Sequence, residues 1–81
     1  MCTQTPAITE ETARHVLWHY GAPGGIQAGR GTETLLVAID AADMVSVEKL
    51  RLGFPELVAA MLTAKNDLDG ISRLQQIAGA A

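Results

Sequence analysis

The chain has 81 residues, of which 48% are hydrophobic, and its nine acidic and six basic residues give a net charge of −3. This length is that of one small domain, and this apolar content is typical of a folded chain rather than a disordered one. The cations are scattered without a basic run, which argues against a nucleic-acid partner because phosphate neutralisation supplies most of the affinity of such proteins.

The single cysteine, Cys2, excludes an intrachain disulfide and favours a reducing compartment. The first six residues have neither the basic start nor the apolar run of a signal peptide, and the longest apolar run, residues 57–62, is too short to span a bilayer. We therefore expect a cytoplasmic protein without a membrane partner.

We predict that residues 1–8 form a flexible N-terminal tail and that residues 9–81 form a single helical domain. Thr9 is a good N-cap for a first helix, which has two glutamates in its first turn and Gly21 as a stop signal. The apolar stripe of this helix consists of residues at positions i, i+3, i+4 and i+7, which are Ala13, Val16, Leu17 and Tyr20. Trp18 lies off the stripe, so either the following loop covers it or a partner contacts it.

A glycine-rich segment, Gly21 to Gly31, follows the first helix. Thr32 is then predicted to cap a second helix that runs to about Asp43. Because residues 35–42 are apolar on almost all sides, this second helix is predicted to be the buried hub of the fold.

Three more helices are predicted in the second half of the chain. Ser46 is the predicted N-cap of a short third helix that Gly53 ends, and Pro55 suits the first turn of a fourth. A turn at residues 66–70 leads to a last helix, whose predicted inward side chains are Ile71, Leu74, Ile77 and Ala78. No segment shows the alternation of a strand. The predicted fold is all-α, a compact bundle of four to five short helices with the Gly-rich loop between helices 1 and 2.

The Gly21–Gly31 loop holds five of the eight glycines, and a loop of this kind before a helix can bind phosphate. Its spacing approximates a Walker A motif, but Arg30 replaces the lysine and Gly31 replaces the magnesium-binding hydroxyl. The loop also follows a helix, whereas a P-loop follows a strand. We interpret it as a packing or partner-binding element, with nucleotide or anion binding as an alternative.

No other constellation supports a catalytic, metal or cofactor site. His15 and His19 share a helix face, but zinc needs three or four ligands. Asp40 and Asp43 are three residues apart, but paired catalytic carboxylates need a cleft and a raised pKa on one partner. We therefore expect no enzymatic activity, no cofactor and no bound metal.

Two motifs carry a resemblance to a known family. The first is Tyr-Gly-Ala-Pro-Gly-Gly at residues 20–25, and the second is Leu-Gly-Phe-Pro at residues 52–55. With the segments around them, over roughly residues 18–78, they resemble a family of small accessory proteins of actinobacteriophages, including mycobacteriophages. The resemblance implies a non-structural protein that acts in the cytoplasm of the bacterial host, and it carries over no catalytic residue.

These observations predict a non-enzymatic protein that acts by protein–protein interaction in host takeover, lysogeny or defence. Its expected partner is a host protein or a second copy of the chain, as in a homo-oligomer. The candidate protein-binding residues are Trp18, Tyr20, Ile26, Arg30 and Phe54. A homodimeric DNA-associated regulator is the first alternative, and a nucleotide or anion binder that uses the Gly-rich loop is the second.

Overall fold

The computed structural model describes residues 7–79, which form five α-helices and no strand. The helices are α1 (Glu10–His19), α2 (Arg30–Ala41), α3 (Met44–Gly53), α4 (Pro55–Asn66) and α5 (Gly70–Ile77). The all-α prediction is confirmed for this part of the chain, and the Gly-rich loop joins α1 to α2. Most of the predicted tail, with Cys2, lies outside the described residues.

Helix α4 occupies the centre of the bundle, because it packs against each of the other four helices. Helices α1 and α5 also pack on each other, whereas α3 contacts only α2 and α4. The largest fully buried side chains are aliphatic: Val16, Leu17, Leu36, Ile39, Val58, Met61 and Leu74. Truncating such a side chain to alanine costs about 2–5 kcal/mol, so these few residues supply much of the stability.

The prediction that the second helix is the buried hub is wrong. Leu36 and Ile39 are the buried residues of α2, whereas Val37 is 52% exposed and Ala38 and Ala41 are exposed as well. Helix α2 lies at the edge of the bundle and turns one side to α1, α3 and α4. Its other side includes Val37, Ala38 and Ala41 together with polar residues and faces outward, since an apolar composition permits burial without enforcing it.

The prediction that Thr32 caps this helix is also wrong. Helix α2 begins at Arg30, and Gly29 occupies the cap position without a side-chain hydrogen bond. The Gly29 carbonyl accepts the Glu33 N–H at 2.9 Å. Because the Gly29 carbonyl accepts this hydrogen bond, the first turn of α2 begins before Thr32. The Thr32 hydroxyl is therefore not needed as a cap.

Helix α3 is capped by Asp43 and not, as predicted, by Ser46. The Asp43 carboxylate accepts the Ser46 N–H at 2.7 Å, so Ser46 is already inside the helix. Aspartate and serine are about equally good N-caps, and propensity therefore could not choose between them. The predicted cap of α1 at Thr9 and the predicted start of α4 at Pro55 are confirmed. Of the four side chains predicted to point inward from the last helix, Leu74 and the C-cap residue Ala78 are buried and Ile71 is partly buried, whereas Ile77 is exposed.

Candidate interaction surfaces

The Gly-rich loop folds back along the outer side of α1. The Ala22 N–H donates to the Leu17 carbonyl at 2.9 Å, and the Ile26 N–H donates to the Arg14 carbonyl at 3.0 Å. The loop therefore runs antiparallel to the second half of α1, and two of its N–H groups are used in holding it there. The described residues contain no strand for it to follow, in contrast to a P-loop.

Glycines permit this path. Gly25 lies so close to the Trp18 backbone that a Cβ atom at this position would collide with it. Gly21 and Gly24 have φ angles of 67° and 94°, in the left-handed region that favours glycine. The loop is thus a close backbone contact with α1, which fixes the position of Ile26.

A cleft opens between the start of α1 and the loop, with a volume of about 450 Å³. We name it the α1 cleft, and its walls are formed by Glu10, Glu11, Arg14, His15 and Ile26. The Arg14 guanidinium donates to the Glu10 carboxylate at 2.8 Å and to the Ala78 carbonyl at 3.0 Å. Glu11 forms no ion pair with any residue from 7 to 79.

One exposed apolar side chain, Ile26, forms part of the wall of this cleft, and another, Trp18, lies on α1 one turn after His15 and outside the wall. Ile26 is 49% exposed and Trp18 is 47% exposed. Glu11, His15 and Trp18 follow one another at i, i+4 and i+7, so they share one face of α1. Of the predicted binding residues, Ile26 therefore lines this acidic pocket, and Trp18 lies further along the same face of α1.

A third predicted residue, Tyr20, belongs to a polar cluster between α1, α2 and α4. Its hydroxyl donates to the Asp40 carboxylate at 3.2 Å, and Lys65 lies 3.5 Å from the same carboxylate. The neighbouring His19 is hydrogen-bonded through Nδ1 to the Glu33 carboxylate at 2.9 Å, and its ring meets that of Tyr20 edge-on. The cluster ties three helices together.

The protonation states in this cluster suit a structural role. Burial raises the pKa of Tyr20 to about 12, and the adjacent Asp40 carboxylate adds to the effect. Burial would raise the pKa of Asp40, but hydrogen bonds from Tyr20 and Lys65 outweigh it and lower that pKa. Hydrogen bonds from Ser46 also lower the pKa of Asp43. A pair of catalytic acids needs one raised pKa, so these two aspartates have the opposite arrangement.

The last two predicted binding residues lie at helix ends. Arg30 is the exposed first residue of α2, and its carbonyl accepts the Thr34 hydroxyl at 2.8 Å. Phe54 is exposed between α3 and α4, where its N–H donates to the Leu50 carbonyl at 2.8 Å and its carbonyl accepts the Val58 N–H at 3.0 Å. Phe54 is 40% exposed, so it lies partly at the surface.

Sequence reasoning missed a second surface, on α3. This helix has no buried residue, because only Val47 and Leu50 turn partly towards the core. On its outer side three apolar residues are 86%, 65% and 85% exposed: Met44, Val45 and Leu52. We name these three the α3 ridge. A detectable signal was present, since Val45 and Leu52 are seven residues apart and opposite to Val47 and Leu50 on a helical wheel.

A groove of about 530 Å³ lies beside the α3 ridge, between α3 and the end of α4. Met44 and Val45 of the ridge form part of its wall, and Leu62 and Lys65 of α4 form another part. The exposed apolar surface of α3 therefore continues into a concave region.

Within residues 7–79, no three His, Cys, Asp or Glu side chains are grouped so that they would hold a metal ion. In the same range, every helix is too short or too polar to cross a membrane. Comparison of the chain with protein-family models, with curated proteins and with solved structures gives no match. Function is therefore inferred from the two surfaces described above.

Proposed function

We propose that this chain is a non-enzymatic protein-interaction module and that the α3 ridge is its main contact surface. The supporting observation is that α3 buries none of its ten residues while Met44, Val45 and Leu52 stay 65–86% exposed. Single exposed apolar residues are ordinary, but several on one element favour a site of protein interaction; Met44 and Val45 are adjacent, and Leu52 lies two turns after Val45, with charged residues between them.

The groove beside the ridge strengthens the proposal. Binding energy concentrates where a side chain of one protein fills a pocket of the other. Here two of the three ridge residues, Met44 and Val45, also form part of the groove wall, and Leu62 provides an apolar wall on α4. A partner that covers the ridge can therefore also insert a side chain into the groove.

The α1 cleft provides a second contact surface with different chemistry. It has carboxylates and an exposed isoleucine in its wall, and the exposed Trp18 follows on the same face of α1; tryptophan is among the residues most enriched at binding hot spots. The motif resemblance to actinobacteriophage accessory proteins suggests the setting, which is the cytoplasm of an actinobacterial host with a host protein among the partners.

A matched pair of variants tests the role of the ridge. Leu52→Ser removes a ridge side chain that is 85% exposed, and Leu68→Ser removes a fully exposed leucine from the turn between α4 and α5. Both variants should keep the wild-type circular dichroism and melting temperature, because neither side chain is buried. Trp18→Ala reports separately on the α1 cleft.

Each protein is immobilised and used for affinity capture from an actinobacterial lysate, with quantitative mass spectrometry. We expect the wild type and Leu68→Ser to enrich the same host protein and Leu52→Ser to lose most of it. The proposal is wrong if nothing is enriched, or if the two leucine variants lose the captured protein equally.

A further inference from the structure

In the part of the chain that the structure describes, no polar side chain attaches helix α3 to another helix. Its one ion pair joins Glu48 to Arg51, and its cap is the Asp43 carboxylate, which accepts the Ser46 N–H. Both contacts join residues three positions apart, so they stabilise the helix itself without fixing it to the bundle.

The other four helices are joined to one another by polar contacts. Side-chain hydrogen bonds connect α1 with α2, α1 with the end of α5, and α2 with α4. These bonds are His19–Glu33, Arg14–Ala78 and Asp40–Lys65, respectively. Each bond has to break before its two helices separate. Among the described residues, α3 can separate from its neighbours without breaking a bond of this kind.

The apolar packing of α3 is also the weakest in the bundle. Every other helix has at least two buried residues, whereas α3 has none and only Val47 and Leu50 are partly buried. Two partly buried aliphatic side chains are together worth about one full burial, a factor of roughly 10–100 in an equilibrium constant. An isolated helix of ten residues is marginal in water, so a detached α3 does not stay helical.

The neighbours of α3 are held in place independently of it. Phe54 lies between α3 and α4, and its carbonyl accepts the Val58 N–H at 3.0 Å, so the first turn of α4 does not need α3. The same turn is fixed to the start of α1, where the Thr9 N–H donates to Glu56 at 2.7 Å. The groove of about 530 Å³ already lies between the first half of α3 and the end of α4.

We propose that α3 unfolds locally, as one unit, while the other four helices stay packed. The protein then alternates between a closed form, which presents the α3 ridge, and an open form, which does not. Met44, Val45 and Leu52 share one side of the segment only while it is helical. The opening is a property of α3 itself, so the inference goes beyond the proposed function and holds whichever partner the ridge binds.

Native-state hydrogen exchange of the full-length chain, followed by NMR at increasing low concentrations of urea, tests the opening. Relative to their intrinsic rates, the amides in the second half of α3 should exchange at least about tenfold faster than those in the middle of α1 and α4. Their exchange should also rise less steeply with urea, because local unfolding exposes less surface than global unfolding.

Two N-cap variants form a matched pair. Asp43→Ala removes the cap of α3 and should raise the exchange of α3 amides about fivefold. Thr9→Ala removes the cap of α1, which is intact in both the closed and the open form. It should therefore raise the exchange of α4 amides about fivefold, through global unfolding, and leave that of α3 unchanged.

Three results would overturn the proposal. In the wild type, α3 amides with the same protection and urea dependence as those of α4 mean that α3 opens only with the whole fold. Amides of α3 without any protection mean that the closed form is not populated. Equal acceleration of α3 and α4 in Thr9→Ala shows that α3 exchanges through global unfolding. Affinity capture tests the contact role of the ridge separately, so the two proposals can fail independently.

Discussion

Replacing Gly25 by alanine tests whether the Gly-rich loop is held on α1 by direct backbone packing. A Cβ atom at residue 25 would lie 2.6 Å from the Trp18 Cα atom and 2.8 Å from the Leu17 carbonyl carbon. Carbon atoms pack best at about 3.5–4.0 Å, so the loop and the helix would have to separate by roughly 1 Å. The obstructing atoms are helix backbone and cannot rotate away.

The cost can be estimated from this geometry. Extra atoms in a well-packed region typically cost about 1–3 kcal/mol, and a chain of this length has roughly 4–12 kcal/mol of total stability. In a domain of this size, 1 kcal/mol shifts the melting temperature by about 4–8 °C. We therefore expect Gly25→Ala to lower the melting temperature by at least about 5 °C.

Gly31→Ala is the matched control. Gly31 lies in the first turn of α2 and has a negative φ, and a Cβ atom there would meet no heavy atom of another element within 4 Å. Alanine there should be neutral or stabilise the helix by up to about 1 kcal/mol. Guanidinium denaturation followed by circular dichroism compares the two variants. Equal stability of Gly25→Ala and the wild type would refute the packing argument.

Three further predictions concern caps and titrating groups. Thr9→Ala should lower the free energy of unfolding by about 1 kcal/mol, because Thr9 caps α1. Thr32→Ala should change it by less than about 0.5 kcal/mol, because Thr32 does not cap α2. Urea denaturation measures both values. The single tyrosine, Tyr20, should ionise near pH 12 in an absorbance titration, and Asp40→Asn should move the midpoint towards 10.0. Because an unfolded tyrosine ionises near 10.0, the stabilisation from this raised pKa is present below pH 10 and is lost as the pH rises towards 12. A hydrogen bond from the Thr9 N–H lowers the pKa of Glu56 below its ordinary value of 4.5. The stabilisation from this hydrogen bond is therefore complete above pH 4.5 and is lost as the pH falls through the pKa of Glu56 in the folded state. As the pH is lowered, the melting temperature of Glu56→Gln should therefore fall less steeply than that of the wild type. An equally steep fall in both proteins would contradict the Thr9–Glu56 hydrogen bond.

Helix positions were predictable because their signals are local. A cap acts within three residues, as at Thr9, and proline fixes its own φ angle, as at Pro55. Errors arose where two residues gave equal signals within one turn. Asp43 and Ser46 are both good caps, and only the path of the preceding chain decides between them.

Burial was less predictable, because it depends on which helix takes the centre. The apolar runs of residues 35–39 in α2 and 57–62 in α4 are similar in sequence, yet α4 is central and α2 is peripheral. No local pattern ranks them. The helical wheel places Val45 and Leu52 opposite Val47 and Leu50, which indicates their common side, but their exposure also depends on whether another helix covers that side of α3.

For the candidate site, the sequence offered only local signals. Trp18 lies off the apolar stripe of α1, which left open whether the loop covers it, and it is 47% exposed. The placement of Ile26 beside Arg14 and His15 could not be predicted, because it follows from the loop reversing direction and packing through Gly25. Such a contact joins residues that no helical periodicity relates.

The central position of α4 has a consequence for the order of folding during synthesis. Helices α1, α2 and α3 precede it in the chain and have ten to twelve residues each. Isolated helices of about this length are marginal in water, and the helix on which all three pack is translated only after them. The N-terminal half therefore emerges from the ribosome without its scaffold and folds once α4 follows. Until then its apolar side chains are open to chaperones and proteases.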